Sequence, residues 1–421
     1  MQSQQSLFCR NTILALFVVA ALRVAAAGST EKVLYSFASG SDGALPTSTL
    51  VADKSGNLYG TTSEGGNSTG CGYFQIFSCG VVFKLTPSAG GWTESLIYSF
   101  TGGADGGTPY GGLVIDSAGN LYGTTFTGGA SSMGIVFELT LGSGGTWTET
   151  VLHSFTGGSD GAFPYAGLIL KGNNLAGTTE QGGTGTACFV GSCGTVFALT
   201  HGKTGWREQV LYSFLGGSDG GVPFGGLVLD KADNLYGTTT QYGAAGHGAV
   251  FELKRGLGGF TESTLYSFTG GADGSYPEGG LIFDPAGNLY GTTSVGGTSS
   301  LGTVFQLKPN NGSWTLTTLH TFTGSPDGGV PEAGLVLMGN ALYGTTFNGG
   351  TGSTCGPFGG MPCGTVFKLT IAEETVVYSF AGTPDAALPE SSLILDKSGN
   401  LYGTGLGGGP VGFGAVFEIT P

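Results

Sequence analysis

One loop position, repeated seven times, carries the residues best suited to chemistry. Each copy of the loop ends in Pro followed by one variable residue. That residue is Thr47 first, then Tyr110, Tyr165 and Phe224, then Glu278, Glu332 and Glu390. If these positions surround a common mouth, one half of it is aromatic and the other acidic. Aromatic faces beside carboxylates suit sugar rings, whose apolar faces stack and whose hydroxyls hydrogen-bond. Adjacent sheets stack about 10 Å apart, and paired carboxylates about 6.5–9.5 Å apart are the arrangement of inverting glycosidases. All six aromatic and acidic residues are therefore candidate ligand-binding residues, and Glu278, Glu332 and Glu390 are the candidate catalytic groups if the chain is an enzyme. The plainer reading is of solvated glutamates and of aromatics that cover a loop.

The same loops contain one Asp each, at 42, 105, 160, 219, 273, 327 and 385. An Asp before a glycine accepts turn N–H groups, whereas a calcium loop offers several oxygen ligands within a short segment. The turn role is preferred. Calcium is the one candidate metal, and no other cofactor is expected.

Six of the seven cysteines fall in three close pairs, Cys71/Cys79, Cys188/Cys193 and Cys355/Cys363. Two ligands per loop do not make a zinc site, and local disulfides are expected. Bonds that close so few residues stiffen a loop more than they stabilise a fold. His153 and His320 replace the Tyr of a repeated "YSF", and His247 alone occurs in a loop of the candidate face. No nucleophile elbow, zinc-protease helix motif or phosphate loop is present.

The loop Asp recurs every 54 to 63 residues, and the elements that must position these residues repeat with it. "YGTT" or a close variant starts at 59, 122, 176, 236, 290, 343 and 402, and a Val-Phe pair follows 14 to 23 residues later each time. Periods of this length mark propellers, solenoids or arrays. In one copy, "GLVID" (112–116) and "NLYGTT" (120–125) flank a Gly-bearing turn. They are followed by "GIVFELT" (134–140) and "WTETVLHSF" (147–155). The last of these is expected to alternate, with Trp147, Glu149, Val151, His153 and Phe155 on one face. Four short antiparallel strands per repeat predict an all-β, seven-bladed β-propeller. The chain starts on a fourth strand, "KVLYSF", and ends on a third, "GAVFEIT". The N-terminal strand is thus expected to complete the last blade and to remove a sticky edge. The glycine of "YGTT" is expected to admit a close aromatic, with Trp92, Trp147, Trp206, Phe260 and Trp314 as candidates and looser packing near Ala372 and Ser29. In a propeller, the connections from fourth to first strand and from second to third strand emerge on one face. This places every candidate group together.

Composition agrees. The 421 residues include 85 glycines, 10% charged residues and 11% aromatics, too apolar and aromatic for disorder. Residues 1–27 read as a signal peptide: Arg10, the apolar run Ile13 to Leu22, then "AAAG". That run is too short to cross a bilayer. Removing it leaves residues 28–421 as one propeller domain and takes away two positive charges, Arg10 and Arg23, from a formal net charge of −14. Nucleic acid and anionic membranes are poor partners for such a chain.

The combination "LYGTT..GG", "G.VF.L" and "YSF.GG.DG..P" resembles the GloVer tandem repeat of secreted bacterial "choice-of-anchor" proteins, with a weaker likeness to kelch repeats. The resemblance covers residues 32 to 420 and implies export and a repeat architecture, without an agreed activity. The expected protein is secreted, extracellular or periplasmic, monomeric and not inserted in a membrane. Its preferred role is as a non-catalytic binding module for a polysaccharide or a surface protein. A carbohydrate hydrolase or lyase, and a structural envelope protein, remain as alternatives.

Overall fold

The computed structural model describes residues 28–71, 77–189, 191–203, 205–352, 355, 362–370 and 373–421. The signal-peptide segment, residues 1–27, and Ala372 lie outside the described residues. Seven four-stranded antiparallel sheets form the seven blades of a propeller. In blade 1 the strands are Val51–Ala52, Leu58–Thr62, Val81–Ser88 and Gly91–Ser99, from the axis outward. Blades 2 to 6 repeat this order. In blade 7, Ile394–Leu395, Leu401–Gly405 and Ala415–Thr420 are completed by the N-terminal Thr30–Ser36. Register runs from Thr30 against Thr420 to Ser36 against Ala415. The expected closure is therefore present, and no blade keeps an open edge next to the chain ends.

The "YGTT" strands are buried along nearly their whole length, Tyr290 and Tyr402 being partly exposed, because they pack on both faces against neighbouring blades. Its glycine does admit an aromatic ring, but not the expected tryptophan. A Cβ on Gly123 would lie 2.6 Å from Phe137 Cζ and 2.9 Å from Leu113 Cδ2, and the same pair of neighbours confronts Gly60, Gly237 and Gly344. The ring belongs to the Val-Phe pair directly across the sheet, Gly123 against Phe137. The tryptophans instead bridge blades: Trp92 meets Tyr402, Trp206 meets Tyr122 and Trp314 meets Tyr236, with centroids 6.0–6.4 Å apart.

The phenylalanine of each "YSF" docks edge-on against the Val-Phe phenylalanine of the next blade. Phe37 on Phe83, Phe155 on Phe197 and Phe380 on Phe417 have centroids 5.0–5.1 Å apart. The other four junctions repeat the contact. All these rings are fully buried. Pairs of this geometry contribute about 0.5–1.5 kcal/mol each beyond area burial, so the seven contacts bind the ring by a repeated rather than a special interaction.

Two sequence expectations need correction. The first strand of blade 2 spans only Val114–Ile115, because the Asp116 carboxylate captures the N–H groups of Ala118 and Asn120 and ends the pairing. The outer strand does not alternate to its end. A β-bulge lies opposite Val136 and Phe137, which leaves Val151 37% exposed and turns Leu152 into the apolar cluster with Phe155 and Phe197.

Candidate functional site

The connections between blades begin as turns organised by their Asp. Asp105 accepts the Tyr98 hydroxyl at 3.1 Å and the Thr101 N–H at 2.9 Å. The tyrosine bond recurs at Asp42, Asp219, Asp273 and Asp385. At Asp160 and Asp327, His153 and His320 stand in for the tyrosine at 3.3 and 3.2 Å. These carboxylates serve the turn role expected of them.

Further along, the residue before each loop proline has positive φ, between 54° and 60°, in all seven connections: Leu45, Thr108, Phe163, Val222, Tyr276, Val330 and Leu388. Such a conformation is strained for a β-branched residue and disfavoured before proline. Two backbone bonds hold it. The Val222 N–H donates to the Cys193 carbonyl of the previous blade, and the Val222 carbonyl accepts from Thr240 N–H. Strain of about 1–3 kcal/mol per residue persists only where surroundings over-determine it. Here it turns the following side chain toward the axis.

Thr47, Tyr110, Tyr165, Phe224, Glu278, Glu332 and Glu390 all line the same axial channel. They stand between two adjoining cavities of about 330 and 180 Å³. The narrower cavity is lined by these seven residues and no others. Glycines next to them let the innermost strands crowd the axis. A Cβ on Gly279 would come 2.5 Å from the Ala333 carbonyl oxygen, and one on Gly111 would come 2.7 Å from that of Ala166.

The aromatic half forms a continuous stack. Tyr110 and Tyr165 have centroids 4.7 Å apart and planes 22° from parallel, and Tyr165 lies 4.1 Å from Phe224. Phe126 closes edge-on against Tyr110 at 5.5 Å. Tyr165 thus has a ring on each side, and Tyr110 and Phe224 are the ends of the stack.

The acidic half is protonation-sensitive. Burial, with Glu390 and Glu278 nearby, pushes Glu332 up to about 8. Burial, with Glu278, pushes Glu390 up to about 7. Glu278 is also raised by burial, against a hydrogen bond from Ser294. Three carboxyls sharing one cavity cannot all ionise without a counter-charge. The raised values of Glu332 and Glu390 favour retention of protons near pH 7.

Residues not singled out from sequence add to this face. Glu64 and Glu180 follow the "YGTT" strands of blades 1 and 3, are raised by burial, and act on Tyr110 together with Glu390. Their loops pair with the Asp-bearing connections through short bridges, such as Ala44 with Glu64 and Ala162 with Gln181. Seven Asp and five Glu thus occupy this face, and no Lys or Arg occurs in any of its fourteen loops. The one visible signal was the absence of basic residues between each "YSF" and the next "GL", and between each "YGTT" and "VF".

A second acidic set lies at the blade junctions. Glu149 and Glu208 of the outer strands face Asp105 and Asp160, and burial first, then those neighbours, raises both to about 7. Glu31 beside Asp385 is raised by burial, and then by that neighbour, to about 8. One buried oxygen each of Glu31, Glu94, Glu149 and Glu208 has no hydrogen-bond partner.

The three disulfides form as expected, Cys71–Cys79, Cys188–Cys193 and Cys355–Cys363. Their sulfurs do not project from the face; all six cysteines are buried. The first two pairs cap a glycine of a neighbouring loop, with Cys71 Sγ against Gly102 and Cys188 Sγ against Gly216. In cysteine-free blades Met133, His247 and Leu301 fill the equivalent slot over Gly157, Gly270 and Gly324. His247 is therefore a packing residue, its Nδ1 also 3.1 Å from Ser275 Oγ. Three disulfides fit an oxidising compartment.

The family model of the Gloeobacter/Verrucomicrobia repeat matches residues 20–190 and again 185–358. The chain belongs to the Gloeobacter/Verrucomicrobia repeat family. The resemblance drawn from "LYGTT" and "DG..P" is thereby borne out, and this repeat protein has no similar sequence among curated proteins. Among solved structures, a hypothetical selenium-binding protein from Sulfolobus tokodaii matches at 10% identity over 79% of this chain and 80% of its own, with a TM-score of 0.52. A proposed 6-phosphogluconolactonase from Bacteroides uniformis matches at 16% identity, over 77% and 84%, with a TM-score of 0.48. A gluconolactonase from Xanthomonas campestris matches at 13% identity, over 74% and 90%, with a TM-score of 0.37. The first of these likenesses shows a shared fold alone.

Proposed function

We propose that this repeat protein is an exported binding module whose axial channel takes a saccharide unit of a neutral or amine-bearing polysaccharide. The observation that carries the reading is the convergence of the seven post-proline side chains on one cavity. An aromatic stack bounds one side and three carboxyls the other. A face with twelve acids and no Lys or Arg repels polyanionic polymers, while hydroxyls and ammonium groups find acceptors there. The apolar N-terminal segment and the three disulfides support export.

The test is retention of residues 28–421 on a panel of insoluble neutral, amine-bearing and acidic polysaccharides, with soluble sugar followed in the same tubes. Retention on neutral or amine-bearing polymers, lost in a Tyr110→Ala/Phe224→Ala variant, is the expected result. Retention on acidic polymers alone, or on none, overturns it. A second reading, a hydrolase or lyase, rests on Glu332 and Glu390, whose raised values suit proton donation near neutral pH. It requires released oligosaccharide that disappears in Glu332→Gln.

A further inference from the structure

His320, Asp327 and Glu374 meet at the junction of blades 5 and 6, away from the channel-lining ring. His320 is the last residue but one of the outer strand of blade 5, Ser313–Thr321, Asp327 sits in the connection, and Glu374 starts the outer strand of blade 6. One ligand atom from each lies within 4.8 Å of the other two, the only such trio among the described residues. His320 Nε2 and Asp327 Oδ1 are 3.2 Å apart. Two ligands on a tetrahedral ion with bonds of about 2.0–2.1 Å are separated by about 3.4 Å, so this pair already has the spacing of a coordination edge.

A comparison inside the molecule sharpens the point. At five of the seven junctions the His320 position is Tyr, which donates its hydroxyl to the Asp and is a poor metal ligand. His153 occupies it at one other junction, opposite Asp160 and near Glu208, yet no three-atom convergence forms there. The two sites differ in burial: the side chains of His153 and Asp160 are 20% and 16% exposed, those of His320 and Asp327 13% and 0%. A wholly buried carboxylate beside a second one favours a positive charge between them.

We propose that His320, Asp327 and Glu374 bind one divalent transition-metal ion, with Zn²⁺ the best match to one imidazole and two carboxylates. Water supplies a fourth ligand from the partly exposed side of His320. The ion ties blade 5 to blade 6 through their outer strands. Thr323, which donates its N–H and hydroxyl to Asp327 Oδ2 at 2.8 Å, orients the carboxylate from behind.

The test is zinc titration of chelator-stripped, tag-free protein by calorimetry, with Co²⁺ absorption as a second probe. Expected are one equivalent bound with a Kd of about 1 μM or tighter, and a Tm rise of about 3 °C at a hundredfold excess over Kd. His320→Tyr, which installs the residue used at five other junctions, should fold and lose at least about a hundredfold in affinity. His153→Tyr should bind as the parent does. Absence of stoichiometric zinc binding in the parent, or unchanged binding in His320→Tyr, overturns the proposal.

Discussion

The junction and channel carboxyls should make this protein most stable in mild acid, and the pH dependence of Tm tests it. Glu149, Glu208 and Glu390 are raised from 4.5 to about 7, and Glu31 and Glu332 to about 8. A carboxyl whose value is higher folded than unfolded binds more protons in the folded state between those two values. Its stabilising contribution is complete below about pH 4.5 and is lost as pH rises through 7 to 8. A pKa that differs by one between the folded and unfolded chain corresponds to about 1.36 kcal/mol, but these side chains keep water contact, so about 1 kcal/mol each is the defensible figure. Five groups give roughly 3–5 kcal/mol between pH 5 and 8.5. Unfolding a chain of 421 residues at about 2.1 cal/mol/K per residue implies close to 1 °C per kcal/mol. The expected fall in Tm is therefore about 4–6 °C. His153, held below its usual value by burial, acts in the opposite sense but is a single group. At the acid end, Asp53, Asp116, Asp230, Asp284 and Asp396 are held below 3.8 by bonds from their turns, working against burial. Their contribution disappears as pH falls through their lowered values. Calorimetric scans from pH 3.5 to 8.5 should show a maximum near pH 5, and Glu149→Gln/Glu208→Gln should flatten the alkaline limb. A Tm that is level or rising from pH 5 to 8.5 would refute the reasoning.

Other perturbations test the architecture. Gly123→Ala forces a methyl to 2.6 Å from Phe137 Cζ and should cost about 1–3 kcal/mol, read as a lower denaturant midpoint at unchanged slope. Val222→Asn relieves a β-branched residue at φ 60° and should gain about 1 kcal/mol in the same assay. Deleting residues 31–37 leaves the last blade unpaired along Ala415–Thr420. It should yield aggregating protein by light scattering, and a monomeric deletion variant with unchanged Tm would contradict the closure.

The fold was legible because its signal is repeated. Seven copies of "YGTT" or a close variant, each followed by "VF", mark a repeat architecture, and the split final repeat points to ring closure without any contact being known. What stayed hidden are contacts, some across blade junctions, as between Phe155 and Phe197, and some inside one blade. Nothing local marks Phe137 rather than Trp147 as the ring against Gly123, since both are aromatic and suitably placed. The bulge that turns Leu152 inward is a backbone event, and strict alternation assigns the wrong face beyond it. The disulfides were predictable as bonds, but their inward direction depends on the glycine that a sulfur covers in an adjoining loop.

The candidate site was legible in a different way. Its seven residues were found by asking which position of a constant loop varies, and the structure adds the reason that position can vary. Val222 and its six equivalents are clamped by backbone bonds to the preceding blade and to the second strand of their own. The loop shape is therefore held without help from the next side chain, and that side chain is left without a structural task. Thr47, three aromatics and three glutamates can then occupy equivalent places in one ring without disturbing the blades. Symmetry in the scaffold with asymmetry at one position is what the proposed binding role needs, so that the two sides of a ligand would be distinguished. Here the distinction is between ring edges and faces on one side and proton-holding carboxyls on the other. Exchanging one residue of each half, by Phe224→Glu with Glu332→Tyr, should consequently leave Tm within about 2 °C of the parent, while retention on a neutral or amine-bearing polysaccharide falls at least about tenfold. A large loss of Tm would show that these side chains brace the ring, and would remove the basis for treating them as a site.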